Sequence, residues 1–354
     1  MSNNGKSFII IGIVTIIIII FVYFNNYDNY FYVYKFSSVK DYKSDINIET
    51  NHTSKIQDYL FNILFVETNE NKTNLSLKQL CAIESAALNN PNALINFFSV
   101  GPVVDEYLTK RYKNIQTRKF SIQDVFKDTP MNDWWKNYED KIRKGEFNLV
   151  HTSDALRVAL IWKYGGIYLD TDTITIRNLN YLLNFPGVGA QDKSTANNAV
   201  INFPKNHRFT NELIKEFVKN YNPKCWGCKG PELFTQVFKN YCKTKDFYIT
   251  NLLTNERMYD KIINSGSNDN TNTNQCDIYI YPINYFYPIT WSSSEKMFKD
   301  SKIDFDKFLD TYIIHFWNKS SKKYHAKSGD HSIFGYFSNL NCPIVNKMNP
   351  NLVF

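Results

Sequence analysis

The chain has 354 residues, with 41 Lys and Arg against 34 Asp and Glu, a formal net charge of +7. No run of five or more basic residues occurs, so the excess does not point to nucleic acid as a partner, although it tolerates an anionic ligand. The abundant Asn, Ile, Lys and Tyr are scattered along the whole length and mark no functional tract.

Residues 8–24, FIIIGIVTIIIIIFVYF, are 17 uncharged positions that would span about 25 Å as a helix, enough for a thin bilayer. Lys6 precedes them and Asp28 is the next charge, so the positive-inside tendency puts the N-terminus in the cytosol. No small-residue cleavage site follows, which favours a signal anchor over a cleaved signal peptide. The expected layout is a cytosolic tail at 1–7, a transmembrane anchor at 8–24, a stem at 25–58 without sustained apolar period, and one lumenal α/β domain at 59–354.

All six cysteines (Cys81, Cys225, Cys228, Cys242, Cys276, Cys342) lie beyond the anchor, as disulfides in an oxidising compartment would. Their connectivity stays open. Cys225 and Cys228 have the spacing of a redox pair or half a zinc site, but no matching pair at zinc-site spacing stands near, which favours a disulfide. Acceptor sequons at Asn51, Asn71, Asn74 and Asn318 fit lumenal exposure.

Residues 62–66, NILFV, have the length and apolarity of a buried strand. Helical spacing of Leu80, Ile83 and Ala87 predicts a helix over 76–88, ended by Asn-Asn-Pro, and 93–100 reads as a second strand. Strand, helix, strand predicts a parallel, Rossmann-like nucleotide-binding sheet. Residues 124–127 and 131–144 read as helices in which Trp134 and Trp135 pack. Ser153 is the expected N-cap of a helix from Asp154 that ends at Gly165-Gly166. Later, 197–203 reads as a strand, 210–220 and 232–241 as helices, 265–275 as a loop, and 278–281 and 311–316 as short strands.

The stretch at 160–179, LIWKYGGIYLDTDTITIRNL, carries the chemistry. A strand follows Gly-Gly, and alternation along it puts Tyr168, Asp170 and Asp172 on one face. Two carboxylates converging there suit a hard divalent cation that completes its shell with water and phosphate oxygens. Asp154 and Arg157, three apart on the preceding helix, form either a surface ion pair or part of the same cleft. His315 is either a half-buried histidine or a late metal ligand, with Lys319, Lys322 and Lys323 behind it.

These residues resemble the lumenal α1,4-glycosyltransferase family. The resemblance runs through FVET (65–68), CAIESAA (81–87), DALR with LIWKYGGIYLDTD (154–172), NNAVINF (197–203), WGCKGPELFTQVF (226–238), FYPITW (286–291) and HFWNKSS (315–321), and fits Cys342-Pro343. It departs at Cys228, where vertebrate members commonly carry His or Asn, beside the extra Cys225.

The resemblance implies a GT-A fold, a Golgi type II membrane enzyme, a uridine-diphosphate sugar donor, a divalent metal, usually manganese, and retention of the α-anomeric configuration. It implies that Asp172 binds the metal, that Asp170 holds the sugar or ribose and the metal through water, and that Asp154 and Arg157 hold the sugar and diphosphate. Tyr168 and Lys319 are expected on the donor, with Asn197 and His315 following as catalytic and metal-binding candidates. The expected reaction is transfer of a hexose, galactose foremost, in α1,4 linkage onto a glycolipid or glycan such as lactosylceramide. The alternatives are an N-acetylglucosaminyl or N-acetylgalactosaminyl transfer, or a silent membrane-anchored carbohydrate-binding protein. A two-step retention needs a carboxylate nucleophile, for which Asp192 and Glu232 are the nominees, and same-face attack is preferred.

Overall fold

The computed structural model describes residues 59–101, 106–219, 221–246, 252–253, 276–348 and 354. The expected tail, anchor and stem, the sequon at Asn51 and the loop at 265–275 lie outside the described residues. Among those described, no helix is long and apolar enough to cross a membrane.

Strand β1, Phe61–Glu67, is apolar on both faces because it is buried on both: Ile63 and Phe65 enter one core, Leu64 and Val66 the other. Helix α1, Leu77–Asn89, starts at a capping box in which Gln79 N–H donates to Ser76 Oγ at 3.3 Å and Ser76 N–H donates to Gln79 Oε1 at 3.1 Å. Strand β2, Ala93–Ser99, runs parallel to β1 over its whole length. Helix α2, Glu106–Arg111, and β3, Ile115–Lys119, were not legible, since IQTRK buries one residue and shows no apolar run. Helices α3, Ile122–Phe126, and α4, Met131–Arg143, follow, with Trp134 packed 5.1 Å from the ring of Phe217 and 5.3 Å from that of Tyr221.

Helix α5 spans Asn148–Tyr164, so Ser153 is inside it and not its N-cap. There its hydroxyl serves Arg157, one turn on. Gly165 ends the helix at φ +67°, and Gly166 at φ +104° lies so near Asn62 that a Cβ would strike its carbonyl oxygen. That approach brings β4, Gly166–Leu169, alongside β1. The expected strand through Asp172 stops at Leu169: Asp170, Thr171 and Asp172 form a turn before β5, Thr173–Thr175. Asp disfavours strands, and the turn is held by Asp170 N–H donating to Ala199 O at 2.9 Å and Thr173 Oγ1 donating to Asp170 O at 2.8 Å.

Strands β6, Gly187–Ala190, and β7, Ala196–Phe203, form an antiparallel hairpin. Helices α6, Arg208–Val218, and α7, Pro231–Tyr241, then pack on the second core before β8, Tyr279–Tyr281, β9, Ile313–His315, α8, Asn318–Ser321, and α9, Ile333–Asn341. The main sheet has the order β3-β2-β1-β4-β7-β6-β8 and is mixed, not parallel throughout. Strands β1 to β4 in it are parallel, but β7 is antiparallel to both β4 and β6, because its five-residue link to β6 allows a hairpin and no crossover. Strands β5 and β9 pair separately, antiparallel, with Thr173 opposite His315.

All six cysteines are paired, as Cys81–Cys342, Cys225–Cys228 and Cys242–Cys276, which bears out disulfides over a metal cluster.

Candidate active site

The β4–β5 turn, the middle of α5 and the end of β9 meet at one centre. Helix α5 presents Asp154 and Arg157 one turn apart, 3.4 Å between Oδ1 and Nη2, and both are buried. They are not a surface pair. Arg157 Nη1 donates to Asp170 Oδ2 at 3.1 Å and to Asn198 O at 2.8 Å, while Nη2 donates to Ser153 Oγ at 3.0 Å. Tyr168 OH donates to the other oxygen of Asp170 at 2.7 Å, and its ring lies 5.2 Å under the guanidinium. Asn198 Nδ2 donates to Asp154 Oδ1 at 2.8 Å.

Asp172 is held from the other side. The β5–β9 register brings His315 Nε2 within 3.1 Å of Asp172 Oδ1, and Asn318 N–H, at the start of α8, donates to Oδ2 at 2.8 Å. Trp317, at φ +52°, makes the bend between β9 and α8 that aims this N–H inward. Sequence reasoning passed over Asn198, Trp317 and Tyr287, whose hydroxyl donates to Asn197 Oδ1 at 3.1 Å. The only signal was their place inside motifs already singled out.

The electrostatics differ between the two carboxylates. Burial pushes Asp170 up to about 6, with Arg157 opposing and Asp172 adding to the rise. Burial also acts on Asp172 but is outweighed by His315 and the Asn318 N–H, which hold it below the usual carboxylate value. Asp154 is raised by burial, only partly offset by Arg157 and Asn198.

The donor set fits a hard divalent cation. Asp170, Asp172 and His315 each offer a ligand atom within 4.8 Å of the others, and their side chains at Asp170 and Asp172 keep 23% and 20% of their surface open to solvent. Nδ1 of His315 is buried with no hydrogen-bond partner, and Nε2 has only its approach to Asp172 Oδ1 at 3.1 Å. A buried imidazole nitrogen left unsatisfied is costly, and a cation ligated by it beside the carboxylates would satisfy that nitrogen.

Other expected residues sit elsewhere. Asn197 accepts from Ala199 N–H at 2.7 Å and donates to Gln191 Oε1 at 2.8 Å. Lys319 follows Asn318, but its ammonium lies 3.5 Å from the ring centroid of Trp226. Asp192 shapes its own loop by accepting from Ser194 N–H and Oγ, both at 2.7 Å. Glu232 is exposed beside the Cys225–Cys228 loop. Neither nominee belongs to the Asp170, Asp172 and His315 group.

Residues 76–195 match the glycosyltransferase sugar-binding region containing DXD motif, and residues 202–260 and 254–349 match the alpha 1,4-glycosyltransferase conserved region. The chain is 32% identical over 298 residues to lactosylceramide 4-alpha-galactosyltransferase of Rattus norvegicus, covering 81% of this chain and 75% of the relative. It belongs to the alpha 1,4-glycosyltransferase family. The Homo sapiens lactosylceramide 4-alpha-galactosyltransferase is 30% identical over 80% of this chain and 75% of its own length. Alpha-1,4-N-acetylglucosaminyltransferase of Homo sapiens is 29% identical over 74% and 72%. In this alpha 1,4-glycosyltransferase the DXD pair is Asp170 and Asp172, and a DXD region implies a divalent metal and a nucleotide-sugar donor.

Proposed function

We propose that this glycosyltransferase moves a hexose, galactose foremost, from a uridine-diphosphate sugar in α1,4 linkage onto a glycolipid or glycan acceptor of the lactosylceramide type, retaining the α configuration with manganese as its metal. The observation that carries the reading is the convergence of Asp170, Asp172 and the buried His315 beside Arg157. Relatives named for galactose and for N-acetylglucosamine transfer stand at similar identity, and galactose is preferred on the higher of them. We assign the sheet to the GT-A type and the enzyme to the Golgi membrane, anchored by residues 8–24.

Asp172, Asp170 and His315 would hold the metal, which supplies positive charge where the leaving diphosphate gains negative charge. Asp172 is kept ionised by His315 and the Asn318 N–H, and so is ready for a cation. Arg157 spends its donors on Asp170, the Asn198 carbonyl and Ser153, so it acts by orienting Asp170 and lending its charge to the site, not by grasping phosphate. Tyr168 fixes the second oxygen of Asp170. With Asp192 and Glu232 outside this group, attack on the same face is preferred: the acceptor hydroxyl bonds to the anomeric carbon as the bond to phosphate breaks, and its proton passes to the leaving phosphate.

A panel of uridine-diphosphate sugars, each tested for slow hydrolysis with and without manganese and then with lactosyl acceptors, tests the reading. Metal-stimulated hydrolysis of uridine-diphosphate galactose is expected. No hydrolysis of any of them, or turnover indifferent to metal, overturns it.

A further inference from the structure

Outside the candidate site a shallow cavity opens on α7, near the loop that carries the exposed Trp226. The cavity has a volume of about 350 Å³ and is lined by Thr195, Glu232, Thr235, Gln236, Lys239 and Asn240, at the small end of the range for ligand pockets. Five of these stand on α7, where Glu232, Gln236 and Asn240 recur every four residues and therefore form one exposed stripe. One carboxylate and one ammonium cancel, and the rest are hydroxyls and amides. Such a lining suits a neutral ligand rich in hydroxyls and gives no cationic cluster for a diphosphate.

The start of α7 abuts the carboxylate centre, since a Cβ on Gly230 would stand 3.2 Å from Asp154 Oδ2 and from Asn198 Nδ2. Gly227 sits beside Glu232, since a Cβ on it would stand 3.5 Å from Glu232 Oε1. Its neighbour Trp226 is 45% exposed and carries Lys319 on its ring, and Lys319 follows the Asn318 whose N–H holds Asp172. At the other end Thr235 Oγ1 accepts Ala196 N–H at 2.9 Å, two residues before the Asn198 that binds Arg157. The tip bearing Trp226 is braced: Cys225 and Cys228 are bonded, and His151, buried, reaches Cys225 O at 3.0 Å and Tyr221 OH at 2.7 Å. With Lys319 on one side of the ring, the exposed remainder of this braced indole offers apolar surface at little ordering cost.

We infer that Trp226 and the α7 stripe form the acceptor subsite, in which a sugar ring lays its C–H face on the indole and its hydroxyls meet Glu232, Gln236 and Asn240. The inference rests on the proposed function and adds to it where a neutral glycan lies. Trp226 is the specificity-determining residue of this subsite.

Direct binding tests it without turnover. Saturation-transfer NMR and calorimetry with methyl β-lactoside and with N-acetyllactosamine are run on the wild-type protein and on Trp226→Ala, Trp226→Phe and Gln236→Ala, each checked for an unchanged melting temperature. Affinity is expected to fall roughly tenfold in Trp226→Ala and about threefold in Gln236→Ala, and to be largely kept in Trp226→Phe. Absence of binding to the wild-type protein, or binding that survives both alanine changes, overturns the subsite. Donor hydrolysis by the wild-type protein reports separately on the proposed function: glycan binding without hydrolysis sinks that reading and leaves the subsite standing.

Discussion

Arg157 Nη1 lies 3.1 Å from Asp170 Oδ2, and the pair joins the middle of α5 to the turn after β4 across the Gly165-Gly166 break. Arg157 and Asp154 are buried, so the guanidinium compensates one carboxylate with little water of its own, Asp154, and the partly open Asp170. Arg157→Ala is expected to destabilise the protein by about 3–5 kcal/mol, because Asp154 and Asp170 would be left uncompensated. Chemical denaturation measures this. Arg157→Lys keeps the charge but loses the fork, and should retain most of the stability while turnover drops by roughly two orders of magnitude.

Asp172 is the carboxylate kept ionised, with His315 opposite. Asp172→Ala should abolish stoichiometric manganese binding, read by electron paramagnetic resonance, and lower donor hydrolysis at least about a hundredfold. His315→Ala should weaken binding less, about tenfold to a hundredfold. Full manganese affinity in Asp172→Ala would falsify the metal assignment.

Lys229 gives a pH signature away from the metal. It is buried, its ammonium donates to Lys219 O at 2.8 Å, and burial brings its pKa down from 10.5 to about 8, with Glu216 opposing. Between those values the unfolded chain binds more protons than the native one, so stability rises with pH from about 8 and levels off above 10.5. As pH falls through 8 that contribution is lost. Lys229→Met should flatten this limb of a stability–pH curve, and an unchanged slope counts against the burial argument.

The Cys81–Cys342 bridge ties α1 to the end of α9 across 261 residues. Replacing both cysteines by alanine should cost about 2–5 kcal/mol, seen as a lower denaturation midpoint. The separate Cys225–Cys228 bridge closes only a short loop, so its removal should move the midpoint far less and act on glycan affinity instead.

The sequence by itself determined the elements whose signals are local. The apolar run at 62–66, the Leu80, Ile83 and Ala87 stripe with its Ser76 start, and the Gly-Pro opening of α7 depend on neighbours a few residues away. It also singled out Asp170 and Asp172, since acidic groups in an apolar, β-branched run conflict with packing, whereas Asp154, Arg157 and His315 each had two readings that only the family resemblance weighted. Tertiary structure decided how they meet. Strand alternation did not join Asp170 to Asp172, because the strand ends at Leu169 and a turn does the work, pinned by Ala199 of β7. Pairing of β5 with β9 brings His315 from 143 residues away, and no local pattern encodes a register between strands so distant. The antiparallel β7, the placing of Lys319 on Trp226 and the role of Ser153 as a partner of Arg157 were equally hidden. Each is set by long-range packing and hydrogen bonding, whose partners a chain read in order does not bring together.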